Sequence, residues 1–175
     1  CTLDFQGGSF NNGTIVGSNT KINAGLTKIF GADVTLNGTW NCSDIYDSWF
    51  TQSEDSFALL QNLCNLTSDN YYGTIYINRN HNIIIPENAL SIKPNSRTTI
   101  ILEGSITVAP NNFTNYYIFR LIDKNSITIK GGGFLIGDVE THTGTTGEWG
   151  HGIFIQGCYN ININNLQLMN FWGDG

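Results

Sequence analysis

Apolar and polar residues alternate in short runs over most of this chain. The alternation is clearest from residue 73 onward. Its segments include 75–77 (Ile-Tyr-Ile), 83–85 (Ile-Ile-Ile), 90–92 (Leu-Ser-Ile), 127–129 (Ile-Thr-Ile) and 161–163 (Ile-Asn-Ile). A period of two is typical of β-strands, because successive side chains of a strand point to opposite faces. The pattern therefore predicts many short strands whose isoleucines face a core.

The strands return at a nearly regular spacing. Corresponding strands begin at residues 75, 100, 127 and 161. Repeats of this length indicate a solenoid, in which each strand pairs with the equivalent strand of the next coil. We therefore expect an all-β protein with three short strands per coil and about four coils. A β-sandwich is the alternative, although its strands would be longer and joined by hairpins.

The chain divides into three expected segments. Residues 1–44 predict a small N-terminal β-solenoid segment, because short β-like runs alternate there with Gly-Gly and Asn-Gly turns. Residues 45–72 predict a linker and a helix, and residues 73–175 predict the main solenoid. We expect this solenoid to be truncated at its C-terminal end, with the natural chain continuing beyond Gly175.

The helix is expected at about residues 53–64. Ser53 is a suitable N-cap, and Glu54 and Asp55 would lie at the positive end of the helix dipole. Apolar residues at helical spacing follow from Phe57 onward. The helix would cap the solenoid core.

Composition excludes several function classes. The chain has 8 Lys and Arg against 14 Asp and Glu, a net charge of −6. Because this sign is wrong and Lys and Arg do not cluster along the chain, we expect no nucleic-acid partner. We also expect no membrane insertion, since no apolar run approaches the ~18 residues of a membrane span. The spacing of the four cysteines fits no metal site. Because a chain of this size needs no disulfides, we expect buried, unpaired thiols, and a disulfide framework is the alternative. No cofactor is expected.

Two runs carry a resemblance to a known superfamily. They are GHGIFIQGCYNININNL at 150–166 and WGDG at 172–175. They resemble coils of the right-handed parallel β-helix (pectin lyase-like) proteins, which include pectate lyases, polygalacturonases and phage tailspikes. Residues 1–40, followed by Trp49-Phe50 and the expected helix, resemble the pectate-lyase-3-like branch of gut bacteria and their phages.

The resemblance implies a fold and two open functions. The fold is a right-handed parallel β-helix with one N-terminal capping helix. The first function is that of an extracellular enzyme, a glycosidase or a polysaccharide lyase. The second is that of a non-catalytic module of a cell surface or phage tail fibre that binds glycans. Both imply a polysaccharide partner, a location outside the cell, on its surface or on a virion, and an assembly that is often a homotrimer.

Candidate site residues lie in connections expected on one corner of the solenoid. Loops there should lie side by side and form one wall of a groove. Glycoside hydrolysis uses two carboxyl groups, and aromatic rings stack on sugar rings. The candidate catalytic residues are Asp138, Glu148, His151 and Asp174, and the candidate substrate-binding residues are Trp149, Trp172, Tyr116, Tyr117 and His142.

The most specific expectation concerns two motifs that are one coil apart. Trp149 and Trp172 should stack, as should His151 and Asp174, because equivalent positions of adjacent strands lie ~4.8 Å apart. A His above an Asp would bind sugar hydroxyls or assist proton transfer. The structural alternative is that both motifs are repeated bends whose tryptophans fill core space.

Overall fold

The computed structural model describes residues 1–87 and 91–173 of the chain. This part of the chain is mostly β, as predicted. Its strands are β1 Thr2–Asp4, β2 Phe10–Asn23, β3 Phe30–Trp40, β4 Asp44–Tyr46, β5 Gly73–Ile77, β6 His81–Ile83, β7 Thr98–Leu102, β8 Ser105–Val108, β9 Asn115–Ile122, β10 Asn125–Lys130, β11 Phe134–Ile136, β12 Trp149–Gln156, β13 Tyr159–Asn164 and β14 Gln167–Met169.

The strands form parallel sheets. An N-terminal sheet has the order β1-β2-β3. Sheet one has the order β13-β10-β7-β5-β4, sheet two has the order β14-β11-β8-β6, and sheet three pairs β12 with β9. From β5 onward, consecutive strands enter different sheets, so residues distant in sequence become neighbours within each sheet. Because β4 pairs with β5, sheet one begins inside the segment expected to be a linker.

The buried face of sheet one is a column of isoleucines in register. Ile45, Ile75, Ile100 and Ile129 are at most 1% exposed and lie opposite one another in successive strands. Ile163 continues the column but is 38% exposed, because β13 is an edge strand of this sheet. Ile163 therefore lies on the inward face of the sheet, as predicted, but its side chain is only partly buried.

Several strand bounds differ from the prediction. The strand expected at 83–85 is β6, which begins at His81 and places this histidine in register with the buried Ile106. The strand expected at 90–92 falls partly on residues 88–90, outside the described ranges. β2 has 14 residues and is far longer than the short runs that the sequence predicted.

The helices are a short 3-10 helix, Asp47–Trp49, and α1, Phe57–Asn65. α1 begins later than predicted, so Ser53 is not its N-cap. Ser56 takes that position without a capping hydrogen bond, while Asp55 Oδ1 accepts from the Phe57 amide at 2.9 Å. None of the helices in the described ranges has the length and apolar character needed to cross a membrane.

The four cysteines are free thiols. Cys42 and Cys64 are buried, as expected for unpaired core thiols, whereas Cys1 is exposed and Cys158 is half-buried. Burial raises the pKa of Cys42 to about 11 and that of Cys64 to about 12. These two side chains pack as small apolar groups.

Candidate functional site

The connections before β9 and before β12 lie side by side, as expected for one wall. The backbone amide of Thr143 donates to the carbonyl of Asn111 at 2.9 Å. The amide and the side chain of Asn111 in turn donate to Asp138 Oδ2, at 3.1 and 2.9 Å. Asp138 therefore holds the two loops together.

Asp138 is the centre of a buried network. His142 Nδ1 lies 2.9 Å from Asp138 Oδ2, and the Tyr116 hydroxyl donates to Asp138 Oδ1. The side chains of Asp138 and His142 are fully buried. Burial, followed by the hydrogen bond to this carboxylate, raises the pKa of Tyr116 well above its ordinary range.

This network changes the interpretation of four candidate residues. The His142 ring stacks on Trp172 with a centroid distance of 4.3 Å and an interplanar angle of 20°. Trp172 Nε1 donates to the Gly147 carbonyl at 2.7 Å. Because both oxygens of Asp138 accept hydrogen bonds from within the protein, Asp138, Tyr116, His142 and Trp172 act together as a structural support for the loop.

The expected stacking of the two tryptophan motifs is met only in the backbone. The amide of Gly173 donates to the Gly150 carbonyl at 3.0 Å, which places the second motif beside the first. The Trp172 ring stacks on His142, however, and not on Trp149, which the spacing of the two motifs predicted. Asp174, the predicted partner of His151, lies outside the described residues.

Glu148 and Trp149 lie at the open edge of the loop. Trp149 is 59% exposed, and Glu148 is also exposed. With Trp172 they line a shallow pocket of about 360 Å³. This pocket brings a candidate acid and both candidate tryptophans together.

The remaining candidates, Tyr117 and His151, lie on sheet three. They are paired in register, and their rings stack at a centroid distance of 5.8 Å and an angle of 6°. Phe154 packs on the same Tyr117 ring at 4.7 Å. His151 therefore belongs to an aromatic cluster separate from the Asp138 network, to which sheet three contributes the buried Tyr116 of β9.

A groove of about 450 Å³ crosses the ends of the strands of sheet two. Its floor includes Asn82 and Thr107, which are paired in register on β6 and β8, and Asn170, which follows β14. Glu140 borders it from the loop after β11, and Glu54 borders it from the segment before α1. Both acids are exposed.

Glu54 reaches the groove because the next two residues, Asp55 and Ser56, form hydrogen bonds with β6 and with Ile84, the residue that follows β6. The amide of Ser56 donates to the Asn82 carbonyl at 2.8 Å, and the amide of Ile84 donates to Asp55 Oδ1 at 3.0 Å. Sequence reasoning placed Glu54 in the helix and missed this role. No local signal reveals it, because the contact joins residues about thirty positions apart.

A second buried carboxylate lies outside the groove. Asp47 Oδ2 accepts from the amides of Asn78 and Arg79 at 3.0 and 2.9 Å, and His81 Nε2 lies 3.1 Å away. Burial raises the pKa of Asp47, but these hydrogen bonds and the charges of Arg79 and His81 outweigh it and lower the pKa overall. This cluster joins the 3-10 helix to the turn before β6.

No group of three or more His, Cys, Asp or Glu side chains within residues 1–87 and 91–173 has the arrangement needed to hold a metal ion.

Comparison with known proteins finds a distant relative of this chain. No family profile and no solved structure match the chain. One similar curated protein is the uncharacterized protein YclG of Bacillus subtilis, which is 37% identical over 104 residues. The match covers 55% of this chain but only 16% of the length of that relative.

Proposed function

We propose that the protein is a right-handed parallel β-helix that binds a neutral polysaccharide along the groove of sheet two. The fold part of this proposal is supported by three parallel sheets whose strands are visited in turn along the chain. The in-register isoleucine column of sheet one also supports it, since stacked coils would produce such a column.

The observation that carries the functional part is the course of the groove. It crosses four parallel strands at right angles to their direction, a length of about 14 Å, and so suits an extended chain. Its volume lies in the ordinary range of ligand sites. Asn82, Thr107 and Asn170 offer amide and hydroxyl groups to sugar hydroxyls, and the exposed Ile84 offers an apolar surface.

The charges of the side chains that line the groove favour a neutral polysaccharide over an anionic one. None of the described residues that line the groove is Lys or Arg, whereas three acids line it, the exposed Glu54 and Glu140 and the buried Asp138. A polyanion would meet the two exposed carboxylates with no cation in the lining to balance them, which is unfavourable. A neutral polysaccharide would place its hydroxyls where both carboxylates can accept hydrogen bonds.

The test is affinity electrophoresis of the purified protein through gels that contain neutral or anionic polysaccharides. We expect retardation in at least one neutral gel, and weaker retardation for the variants Thr107→Val and Asn82→Leu. Thr128→Val, on the exposed face of sheet one, is the matched control. The proposal would be contradicted if no neutral polysaccharide retarded the protein. It would also be contradicted if Thr128→Val reduced the retardation as much as Thr107→Val and Asn82→Leu do.

Hydrolysis of the bound chain is the second candidate, because the groove has one acid on each side. One protonated and one ionised carboxyl group are what glycoside hydrolysis requires. If the groove is hydrolytic, Glu54→Gln and Glu140→Gln should each abolish release of reducing ends while retardation in the gel persists. Retardation without release in the unchanged protein would leave the binding module as the function.

A location outside the cell, on its surface or on a virion follows from the proposed ligand, since such polysaccharides occur there. A homotrimer remains a prediction, and analytical ultracentrifugation of the purified chain measures it directly.

A further inference from the structure

A polar pocket lies between the end of β3, the end of α1 and the turn that follows α1. Its volume of about 430 Å³ falls within the ordinary range of ligand sites. Apart from Leu36, the side chains that line it are polar, and they include the amides of Asn37, Asn65, Asn70 and Asn95. The pocket therefore offers hydrogen-bonding groups that come from distant parts of the chain.

Two of these amides are held in place by the backbone. Asn65 Nδ2 donates to the Leu36 carbonyl at 3.2 Å. Asn95 Nδ2 donates to the carbonyls of Cys64 and Thr67 at 3.2 and 3.0 Å. Because the bonds of the Asn95 side chain within the described ranges use Nδ2, its Oδ1 remains for a ligand. Amides that are fixed in this way bind a ligand with little further loss of side-chain freedom.

The charge in the pocket lining is compensated from within the protein. Asp69 Oδ1 accepts from the Ser96 amide at 2.6 Å and lies 3.0 Å from Lys124 Nζ in an ion pair. None of the described residues that line the pocket is Lys or Arg. An anionic ligand would meet no cation in this lining, and a cationic ligand would compete with Lys124 for Asp69. The lining therefore favours a neutral ligand.

Two exposed tyrosines follow the pocket lining directly in sequence. Tyr71 and Tyr72 are 54% and 72% exposed. The Arg97 guanidinium lies over the Tyr72 ring, 5.9 Å from its centroid, and Arg97 Nη1 donates to the Asp69 carbonyl at 2.6 Å. Arg97 thus links the Tyr72 ring to the edge of the pocket. An aromatic ring beside polar groups is suited to pack against the apolar face of a sugar ring.

We propose that this pocket binds a short neutral saccharide, whose hydroxyls bond to the amides while one sugar ring stacks on Tyr72. Each sugar hydroxyl is both a donor and an acceptor, and amide and hydroxyl side chains match it in both roles. An extended peptide would instead require a row of backbone partners and pockets for apolar side chains.

Helix α1 separates this pocket from the groove of sheet two. Glu54, which borders the groove, precedes the helix, whereas Asn65, which lines the pocket, is its last residue. The nine residues of α1 span about 14 Å. The saccharide site is therefore a second site, and it does not rest on the function proposed for the groove.

The test measures amide chemical shifts during titration with glucose, maltose, cellobiose and N,N′-diacetylchitobiose. Sodium glucuronate, the anionic counterpart of glucose, is the reference. We expect saturable shifts at Asn37, Asn70 and Asn95 with at least one neutral sugar, and none with glucuronate. The proposal is overturned if no neutral sugar produces saturable shifts at these residues, or if glucuronate binds as tightly as the best neutral sugar.

The chain contains a matched control for the amide of Asn37. The tripeptide Asn-Gly-Thr at 37–39 recurs at 12–14 on the neighbouring strand β2, and both asparagines are exposed. Asn12 pairs with Asp33 and does not line the pocket. Asn37→Ala should weaken sugar binding about fivefold, because a hydrogen bond to the ligand is lost, whereas Asn12→Ala should leave it unchanged. Equal affinities of the two variants would overturn the proposal.

The stacking ring and the independence from the groove require their own variants. Tyr72→Ala should weaken sugar binding about fivefold, whereas Tyr159→Ala, at a tyrosine of β13 that is 62% exposed, should not. Unchanged affinity for Tyr72→Ala would overturn the assignment of the ring. The groove variant Thr107→Val should leave the shifts at Asn37, Asn70 and Asn95 unchanged. Loss of these shifts in Thr107→Val would show that the pocket is not a separate site.

Discussion

The side-chain amide of Asn62 binds the backbone of β3 on both sides of Thr35, as a neighbouring strand would. Its Oδ1 accepts from the Leu36 amide at 3.1 Å, and its Nδ2 donates to the Val34 carbonyl at 2.8 Å. β3 is the last strand of the N-terminal sheet, so these backbone groups would otherwise lie unpaired at an edge. Asn65 of the same helix adds a hydrogen bond from its Nδ2 to the Leu36 carbonyl at 3.2 Å. Helix α1 thus covers the edge mainly through the buried Asn62 and protects it from pairing with other chains.

Replacing this amide should destabilise the fold. Asn62→Leu keeps the size of the side chain but leaves one buried donor and one buried acceptor without partners, which costs about 1–3 kcal/mol each. We expect a lower urea midpoint of unfolding and increased aggregation. Ala58→Ser, at an exposed position of the same helix, is the control and should change stability by less than about 0.5 kcal/mol. An unchanged midpoint for Asn62→Leu would show that α1 does not protect the edge.

The pH dependence of stability should report on Asp47. Its folded pKa is lowered from 3.8, so ionisation of Asp47 stabilises the fold above that pH. This stabilisation is lost as the pH falls below 3.8 towards the folded pKa. Asp47→Asn should lose about 3–5 kcal/mol at pH 7, because His81 and Arg79 lose their buried partner. It should also show a shallower decline of unfolding free energy in acid.

Asp69 provides the matched comparison for Asp47. Its pKa is also lowered, by hydrogen bonds from Ser96 and Lys124 that outweigh the opposing effect of burial. Its side chain is 55% exposed, however, so solvent screens the pair and Asp69→Asn should cost less than about 1 kcal/mol. Equal losses at pH 7 for the two substitutions would contradict the structural role assigned to Asp47.

The strand register of sheet one predicts graded effects of an introduced carboxylate. Ile129→Asp buries a charge at a position with 0% exposure and should cost several kcal/mol, enough to unfold the sheet locally. Ile163→Asp should cost much less, because the edge strand leaves that side chain 38% exposed. Thr128→Asp, on the opposite face, should be mild. Thermal unfolding measures how strongly each of the three variants is destabilised. Similar decreases of the unfolding temperature for Ile129→Asp and Thr128→Asp would refute the register.

Periodicity made much of the fold predictable. The alternation around Ile75, Ile100 and Ile129 follows directly from the two faces of a strand, and the repeat spacing correctly predicted parallel pairing between equivalent strands. These features are local or periodic, so a single sequence displays them. The bounds of α1 were less predictable, because Ser53 and Ser56 are both acceptable caps and tertiary contacts of Asp55 decide between them.

The site was less predictable than the fold. Loop order along the chain predicted that Asp138 and Trp172 lie on one corner. Residue type alone could not show that Asp138 is buried with both oxygens occupied. Glu54 was missed because its neighbours in the groove come from distant positions in sequence. Long-range contacts of this kind leave no pattern in one sequence.

Thiol reactivity should separate the cysteines. Cys1 is exposed and should react quickly with iodoacetamide at pH 8, whereas burial and a pKa of about 12 should leave Cys64 unmodified until the protein unfolds. Cys42, with a pKa of about 11, should behave like Cys64. Peptide mass spectrometry at increasing urea concentrations measures each site. Equal native labelling of Cys1 and Cys64 would contradict the buried position of α1.

Asp138 provides the test between a supporting and a catalytic role for the buried network. Asp138→Asn replaces one accepting oxygen by an NH₂ donor. In either orientation this donor faces other donors, those of Asn111 and His142 or that of Tyr116, so the free energy of unfolding should fall by about 2–4 kcal/mol. Because this residue joins the two loops, residues 138–148 should also become sensitive to limited proteolysis. Glu140→Gln, at an exposed position of the same loop, should leave stability and protease resistance unchanged. If Asp138→Asn keeps full stability and protease resistance but loses a polysaccharide-cleaving activity, Asp138 acts on substrate and the network is not a structural support.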